Sequence, residues 1–178
     1  MLEDLRLESD RLILTLLTLE YAPVIFQEFT AEITTYTYPR PAETIQQTER
    51  FIRETIQQRL NGTNLTMAIA KKVSLEFVGV CALHNLHTDT PELGIWTKKS
   101  AHGSGFGREA IRCLKQWADE TLDYEYLLYP VDRRNLPSQK IAKSLNGRII
   151  REYQQMNLSG NLLEVQEYRI ERGQPMMG

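Results

Sequence analysis

Three glycines alternate in the segment Ala101-His102-Gly103-Ser104-Gly105-Phe106-Gly107-Arg108, between an apolar run that ends near Trp96 and a helical run that begins near Glu109. A glycine turn that opens a helix directs backbone N–H groups toward an anion, because the first N–H groups of a helix have no intrahelical partner. The helix dipole adds partial positive charge at the same end, and glycine allows a phosphate to approach closely. The segment predicts a pyrophosphate-binding turn; the alternative is a glycine-rich helix entry that binds nothing.

The spacing of these glycines excludes two common phosphate loops. A Walker loop requires Gly-x-x-x-x-Gly-Lys-Ser/Thr, and no lysine follows the glycines of this segment. A dinucleotide fingerprint requires Gly-x-Gly-x-x-Gly near the start of a βαβ unit, and its third glycine would fall on Arg108. The turn also comes past the middle of the chain, after several predicted strands.

The pattern that fits is Gln/Arg-x-x-Gly-x-Gly/Ala, which resembles the acyl-CoA pyrophosphate loop of the GNAT family of N-acetyltransferases. His102 stands at the first position, where the family usually has Gln or Arg. Backbone amides do most of the holding in such a loop, so a histidine is compatible with it. The resemblance implies acetyl-CoA as co-substrate, in contact with the loop residues His102, Gly103, Ser104, Gly105, Phe106, Gly107 and Arg108.

The elements that must position this turn follow from hydrophobic periodicity and capping signals. Strands are predicted at 11–17, 65–70, 77–83, 92–97, 126–131, 148–157 and 162–170, and helices at 18–29 with Thr18 as N-cap, at 45–61, after the glycine turn, and from Asn135 to Asn146. The order β-α-α-β-β-β-α-β-α-β-β gives an α+β (mixed α/β) fold. It resembles the GNAT fold, which implies a central, mostly antiparallel mixed sheet of about seven strands flanked by about four helices.

Two further stretches resemble the RimJ/RimL-type subgroup of that family. One is the opening Glu8-Ser9-Asp10-Arg11-Leu12-Ile13-Leu14. The other is Asn135-x-x-Ser138-x-x-Ile141-x-x-x-Leu145, which runs into Asn146-Gly147. The resemblance therefore covers nearly the whole chain and not the glycine turn alone.

The composition is typical of one soluble domain over residues 1–178. The net charge is −2 and the pI about 6.0, so no basic footprint indicates nucleic acid. No stretch approaches the ~18 apolar residues of a membrane span, and the acidic start differs from a signal peptide, which predicts a cytoplasmic protein. Cys81 and Cys113 are expected to be free thiols. With three scattered histidines they give no metal-ligand spacing, so no metal is expected.

Glu92 is the candidate that removes a proton from the acceptor amine. Strand alternation places Glu92, Gly94 and Trp96 on one face, and Leu93, Ile95 and Thr97 on the other. A carboxylate on the strand that leads into the cofactor loop lies close to where a thioester would bind. Many GNAT relatives have an acidic residue there, which supports the choice. The alternative is a solvent-facing strand glutamate without a catalytic role.

The thioester carbonyl requires a hydrogen-bond donor. The resemblance implies a backbone N–H near Ile95 or Trp96, at the point where this strand splays from its neighbour, and assigns Ile95, Trp96 and Thr97 to the cofactor. Gly94 is compatible with a local bulge. The side chain of Trp96 is expected to be an ordinary core residue.

The leaving thiolate is protonated in many GNAT enzymes by a tyrosine in the helix after the last parallel strand. Counted from Asn135, that position is Ala142 in this chain, so no tyrosine is carried over. Ser138 is the matching candidate donor to the sulfur, although a first-turn serine needs no such role. A thiol with a pKa of about 8.5 also leaves without a dedicated acid. The resemblance assigns Asn135 to the pantetheine arm, while its N-cap role requires no ligand.

Three functional interpretations follow. The first is an acetyl-CoA-dependent N-acetyltransferase that acts on a protein N-terminus or a small-molecule amine by direct transfer in a ternary complex, with the Tyr36–Tyr38 loop walling the acceptor site. The second is a non-enzymatic acyl-CoA-binding or sensor domain, and the third is an interaction domain without a cofactor. The sheet edge or the last hairpin is the expected surface of any homodimer.

Overall fold

An eight-stranded mixed sheet forms the centre of the molecule in the computed structural model, which describes residues 4–173. Its order is β1-β2-β3-β4-β5-β6-β8-β7. Neighbouring strands are antiparallel except β5 and β6, which are parallel. The strands are β1 Arg6–Glu8, β2 Leu12–Leu16, β3 Leu65–Lys71, β4 Phe77–His84, β5 Glu92–Thr97, β6 Tyr126–Asp132, β7 Arg148–Met156 and β8 Leu162–Glu171. The expected α+β class and mostly antiparallel sheet are confirmed. The strand that the sequence did not predict is β1, because three residues are too few to show a period.

Four α-helices are described: α1 Ala22–Glu28, α2 Ile45–Leu60, α3 Phe106–Thr121 and α4 Leu136–Ser144. The prediction that Thr18 caps the first helix is wrong, because Thr18 precedes a 3-10 turn and its side chain makes no capping bond. Pro23 explains the later start of α1. A proline has no N–H to donate to the carbonyl one turn earlier, so it suits only the first turn of a helix, where α1 has it.

The helices cover the two faces of the sheet and create two cores. On one face, α3 and α4 pack against the strands through residues such as Ile111, Leu114 and Ile141. On the other face, α1 and α2 bury Ile25 and Ile52 against the sheet. Strand β5 serves both cores, as its alternation predicts, because Leu93 belongs to the first core and Trp96 packs against the second.

The two parallel strands of the sheet separate almost as soon as they meet. Among the described residues, Glu92 and Leu128 are the one paired position between β5 and β6. The Leu128 N–H donates to the Pro91 carbonyl at 2.9 Å. Strand β5 nevertheless stays paired with β4 as far as Thr97. A gap therefore opens between β5 and β6 beyond Glu92 and widens toward the glycine turn.

A buried carboxylate shapes the connection from β6 to α4. The Asp132 side chain is fully buried and accepts hydrogen bonds from the Arg134 backbone, the Arg134 guanidinium and the Glu164 N–H, all at 2.7–2.9 Å. Its backbone carbonyl accepts from the Asn135 N–H at 2.8 Å. Burial alone would raise the pKa of Asp132, but the hydrogen bonds from Arg134 and Glu164 outweigh it and lower the pKa. This network fixes the start of α4 against β8.

Replacing Asp132 by Asn should lower the free energy of unfolding by about 2–3 kcal/mol at pH 7, because an amide nitrogen cannot accept the hydrogen bonds that reach this side chain. The folded carboxyl has a pKa below its ordinary value of 3.8, so its stabilisation is complete above pH 3.8 and is lost as the pH falls below it. Urea unfolding at pH 7 and at descending pH measures the difference. The exposed Asp89→Asn variant is the control, and equal stability of D132N and the wild type at pH 7 would contradict this account.

Candidate active site

Strand β5 directs two backbone N–H groups into the gap between β5 and β6. The Lys98 N–H donates to the Val78 carbonyl at 2.8 Å. Hydrogen-bonding direction alternates along an antiparallel ladder, so the N–H groups of Trp96 and Gly94 also point toward β4. The N–H groups of Ile95 and Thr97 point the opposite way, into the gap, beyond the last position paired with β6.

The side chain of Trp96 packs in the hydrophobic core. Its indole ring packs against Phe29 and Phe77, with ring centroids 4.8 and 5.8 Å apart. Of the two candidate donors to a thioester carbonyl, the geometry of β5 favours the N–H of Ile95.

Glu92 lies at the narrow end of the gap and is half-buried. Burial raises the pKa of its carboxyl, and the negative charge of Glu167 on β8 raises it further. No described side chain donates a hydrogen bond to Glu92. Glu167 is buried and accepts from the Arg151 guanidinium at 3.0 Å. Glu92 is thus a partly desolvated carboxyl with a tendency to take up a proton.

The backbone of the glycine turn leaves the N-terminus of α3 without a side-chain cap. Gly103 and Gly105 have φ angles of +79° and +77°, and Gly105 is the N-cap of α3 without a side-chain capping bond. A Cβ at Gly107 would lie 3.3 Å from Ile141 Cδ1 and 3.7 Å from Ile95 Cδ1. Glycine at this position therefore lets the N-terminus of α3 approach both β5 and α4.

His102 and Arg11 hold the turn in place. The imidazole Nε2 of His102 lies 2.9 Å from the Thr97 carbonyl oxygen and ties the turn to the end of β5. The Arg11 guanidinium donates to the Ser104 carbonyl at 3.0 Å and to Glu109 at 2.7 Å, and it lies 4.6 Å from the centre of the Phe106 ring. Arg11 therefore clamps the turn to strand β2.

Glu109 is the anchor of this clamp in the first turn of α3. Its carboxylate accepts from the Ser9 hydroxyl at 2.7 Å and from the Arg11 backbone at 2.8 Å, besides the guanidinium. Burial alone would raise the pKa of Glu109, but these hydrogen bonds outweigh burial and lower the pKa. Sequence reasoning missed Ser9 and Arg11 as site residues, although both lie in the opening stretch that resembles the RimJ/RimL subgroup.

Two arginines lie beside the turn without an acidic partner. Within residues 4–173, neither Arg108 nor Arg112 forms an ion pair, and both are exposed on α3. They line a surface cavity of about 810 Å³ between α3 and the β1–β2 turn, together with Arg11, Ser104 and Gly105. The carboxylates of Glu8, Asp10 and Glu109 also line this cavity, but Glu8 pairs with Lys72 and Glu109 with Arg11, so Arg108 and Arg112 are the lining cations without an ion pair among the described residues.

The first turn of α4 brings the two remaining predicted residues together. The Asn135 side chain caps the helix by accepting from the Ser138 N–H at 3.3 Å. Behind Ser138, the Tyr129 hydroxyl is buried and has no hydrogen bond of normal length among the described residues. Burial raises the pKa of Tyr129 to about 12, although the nearby Ser138 hydroxyl by itself lowers this pKa. Ala142 is fully buried, at the position of the missing tyrosine.

The segment 30–41 borders the face of the sheet that carries Glu92. The Leu158 N–H donates to the Tyr38 carbonyl at 2.9 Å, and the Asn157 side chain donates to the Thr37 carbonyl at 3.1 Å. The Arg134 guanidinium lies 5.2 Å from the centre of the Tyr36 ring. The segment is therefore held on the β7–β8 turn and on the β6–α4 connection, beside the face that carries Glu92.

Among residues 4–173, no three His, Cys, Asp or Glu side chains are grouped so that they could hold a metal ion. In the same range, no helix has the length and apolar character needed to cross a membrane.

Residues 11–148 match the model of the acetyltransferase (GNAT) domain, which is more than half of the chain. The chain belongs to the GNAT family. The match begins at Arg11, so it includes the clamp as well as the glycine turn and the start of α4. The GNAT chain is an acetyltransferase of this type, as the resemblance implied.

Individual relatives agree with the family in fold. The chain is 26% identical over 165 residues to an uncharacterized N-acetyltransferase, p20, of Bacillus licheniformis, covering 89% of this chain and 92% of that protein. RimL, a ribosomal L7/L12 alpha-N-protein acetyltransferase in complex with coenzyme A, aligns with a TM-score of 0.84 at 16% identity over 94% of this chain and 98% of its own. The microcin C7 self-immunity acetyltransferase MccE, in complex with acetyl-CoA and AMP, aligns with a TM-score of 0.80 at 19% identity over 92% and 93%. The RimJ/RimL-like resemblance therefore extends to the whole fold.

Replacing Gly105 by Ala in this GNAT chain should weaken acetyl-CoA binding by about ten-fold or more, because a methyl group would force a strained φ and project between the Arg11 and Arg108 guanidinium groups. Isothermal titration with acetyl-CoA measures the affinity. Gly160→Ala is the matched control, since Gly160 has a φ of +84° in the distant β7–β8 turn and open space around it. Both variants should lose about 1–2 kcal/mol of unfolding free energy. Equal affinities of G105A and G160A would contradict the anion site.

Proposed function

We propose that this chain is an acetyl-CoA-dependent N-acetyltransferase that transfers an acetyl group directly to a primary amine in a ternary complex. The observation that carries the proposal is the Ile95 N–H, which points into the gap between β5 and β6. Glu92 lies at one end of that gap and the glycine turn at the other. The gap thus brings together an oxyanion donor at Ile95, a proton acceptor at Glu92 and a phosphate site at the glycine turn.

The residues around the turn fit the phosphates of acetyl-CoA. The uncapped N-terminus of α3 offers N–H donors, and Arg108 and Arg112 offer positive charge. Residues 102–108 hold the pyrophosphate in this proposal, with His102 contributing through its backbone because its ring is bonded to Thr97. Asn135 lies at the α4 side of the gap, where the pantetheine arm would pass, with its side-chain oxygen already used for capping.

Bound acetyl-CoA supplies the acetyl group as a thioester. The Ile95 N–H then donates to the carbonyl oxygen and stabilises the negative charge that develops there during attack. Because this donor belongs to a strand that is fixed by β4, it needs no rearrangement when the charge forms. Trp96 and Thr97 complete the wall of the gap by their backbone.

Glu92 removes a proton from the acceptor, which arrives as an ammonium ion near neutral pH. Its raised pKa makes it a stronger base than an exposed glutamate, and its half-buried position keeps it close to the gap. The buried Glu167 carboxylate on β8 raises the pKa of Glu92 further through its negative charge.

Ser138 donates a proton toward the sulfur as the thiolate leaves. The Tyr129 hydroxyl lies behind Ser138 without a hydrogen-bond partner among the described residues, and it can return that proton once the two hydroxyls move into hydrogen-bonding distance. A buried hydroxyl without a partner costs about 1–3 kcal/mol, which a purely structural residue would not require. This pair takes the place of the tyrosine that the family usually has at position 142.

The acceptor enters on the face walled by the Tyr36–Tyr38 segment. The printed description of RimL as an alpha-N-protein acetyltransferase and that of p20 as an N-acetyltransferase support an amine acceptor for this chain too. A peptide with N-terminal serine and the polyamine spermidine represent the two acceptor classes. Release of CoA thiol with either one tests the proposal. Binding of acetyl-CoA without turnover of any amine would favour the sensor interpretation, for which Ala142 is the supporting observation.

Replacing Glu92 by Gln should lower kcat/KM by about 100-fold or more, because the amide cannot accept the amine proton, while the Kd for acetyl-CoA stays the same. The exposed Glu125→Gln variant, just before β6, is the control. Glu167→Gln should move the acidic limb of the kcat/KM profile to lower pH, since it removes the charge that raises the pKa of Glu92. An unchanged turnover of E92Q across the pH range would remove Glu92 from the mechanism.

Tyr129→Phe and Ser138→Ala should each lower kcat by about ten-fold, and the double variant should lose no more than the single ones, because the two hydroxyls act in series. Y129F should at the same time keep or gain stability, since it removes a buried hydroxyl without a partner. Steady-state kinetics and urea unfolding of the three variants decide this. Independent, multiplying losses would contradict the relay.

A further inference from the structure

His84 occupies the space above the reactive end of β5. It is the last residue of β4 and pairs directly with Glu92 across the two strands, so both side chains lie on the same face. Gly94, two residues further along β5, has no side chain on that face. The His84 imidazole fills the opening: its Nε2 lies 3.3 Å from the position that a Cβ of Gly94 would take. The ring therefore lies over the peptide that precedes Ile95.

The surroundings of this ring leave it uncharged and available. No described residue forms a hydrogen bond or ion pair with the His84 side chain, and burial lowers its pKa. On β5 it faces Glu92. The titratable and charged groups near Glu92 are Glu167 and Arg151, which pair with each other, and Tyr153, whose ring lies under Arg151. Strand β3 begins at Leu65 and has no titratable side chain at this end. A neutral imidazole with free ring nitrogens is both a hydrogen-bond acceptor and a base.

We propose that His84 is a second catalytic residue on the acceptor side, which positions the amine over the Ile95 peptide and takes the second proton that the amine must lose. This inference rests on the proposed N-acetyltransferase activity and extends it. Glycine at position 94 suits this role, since a Cβ there would make the His84 ring shift by a few tenths of an ångström.

The acceptor nitrogen loses two protons in the reaction, and we assign one to Glu92 and the other to His84. An ammonium ion R–NH3⁺ gives one proton to Glu92 and becomes the nucleophile R–NH2. The N–C bond then forms, the nitrogen gives a second proton to the His84 imidazole, and the C–S bond breaks with both electrons on sulfur. Ser138 protonates the thiolate. Of the two protons on Glu92 and His84, one returns through solvent to the Ser138–Tyr129 pair and one is released, so the products are R–NH–CO–CH3, CoA thiol and one proton.

The test compares H84Q with the wild type, using whichever of the serine peptide and spermidine the wild type acetylates. Glutamine keeps a polar group near the Nε2 position but cannot take up a proton. H84Q should lower kcat/KM by about 10–100-fold with an unchanged Kd for acetyl-CoA, and the slope of log kcat/KM against pH on the acidic limb should fall by one. His87→Gln is the matched control, because His87 is exposed three residues away and should leave all three quantities unchanged.

A second measurement is independent of turnover. Binding of acetonyl-CoA, a stable ketone analogue of the thioester, should shift the imidazole Cε1–H resonance of His84 in the wild-type spectrum and leave that of His87 in place. Absence of acetonyl-CoA binding would overturn the proposed function itself. Binding without a His84 shift, or an H84Q variant that folds and keeps the wild-type kcat/KM and pH slope, would overturn the role of His84 alone.

Discussion

The candidate active site depends on the early separation of two parallel strands. Strand β5 is held by its antiparallel ladder with β4, and β6 is held by seven paired positions with β8, so the two strands are fixed from their outer sides. Between them only Glu92 and Leu128 pair within the described chain. Backbone N–H groups in a sheet are normally hydrogen-bonded to a neighbouring strand. Because β5 and β6 diverge, the Ile95 N–H has no such partner in the part of the chain that the structure describes and is held at a fixed position in the gap. The first glycine of the turn, Gly103, follows six residues after the end of β5, so the turn and the open N–H are linked by a short segment that His102 ties to Thr97.

The carboxylates around this gap differ in pKa because they differ in the number of donors that reach them. Burial alone would raise the pKa of both Glu109 and Asp132, but each is surrounded by hydroxyl, guanidinium or backbone N–H donors, and the pKa of each is lowered. These two residues fix the turn and the start of α4. Glu92 receives no hydrogen bond from a described side chain and has the charge of Glu167 nearby, so its pKa is raised. The same chemical group thus has a lowered pKa where donors are many and a raised pKa where they are few.

Local properties of the chain account for much of the architecture. The order of the predicted elements and the α+β class are confirmed, because hydrophobic periodicity and turn residues are local properties of a few neighbouring residues. The alternation along β5 is also confirmed, and it placed Glu92 and Trp96 on the face opposite Leu93. The cap of α4 by Asn135 followed from residue type alone. The family resemblance, carried by the glycine turn and the start of α4, agreed with the family model over residues 11–148.

What the sequence by itself determined is therefore the order of the longer strands and helices and the position of the glycine turn that opens α3. Only the tertiary structure decided which neighbours each side chain meets. Arg11 donates to Glu109, which is 98 residues away in the sequence. The Tyr129 hydroxyl is buried behind Ser138, and the His84 ring lies over Gly94. The physical reason is that secondary structure follows short-range periodicity, whereas hydrogen bonding, desolvation and pKa depend on groups that the fold brings from distant parts of the chain.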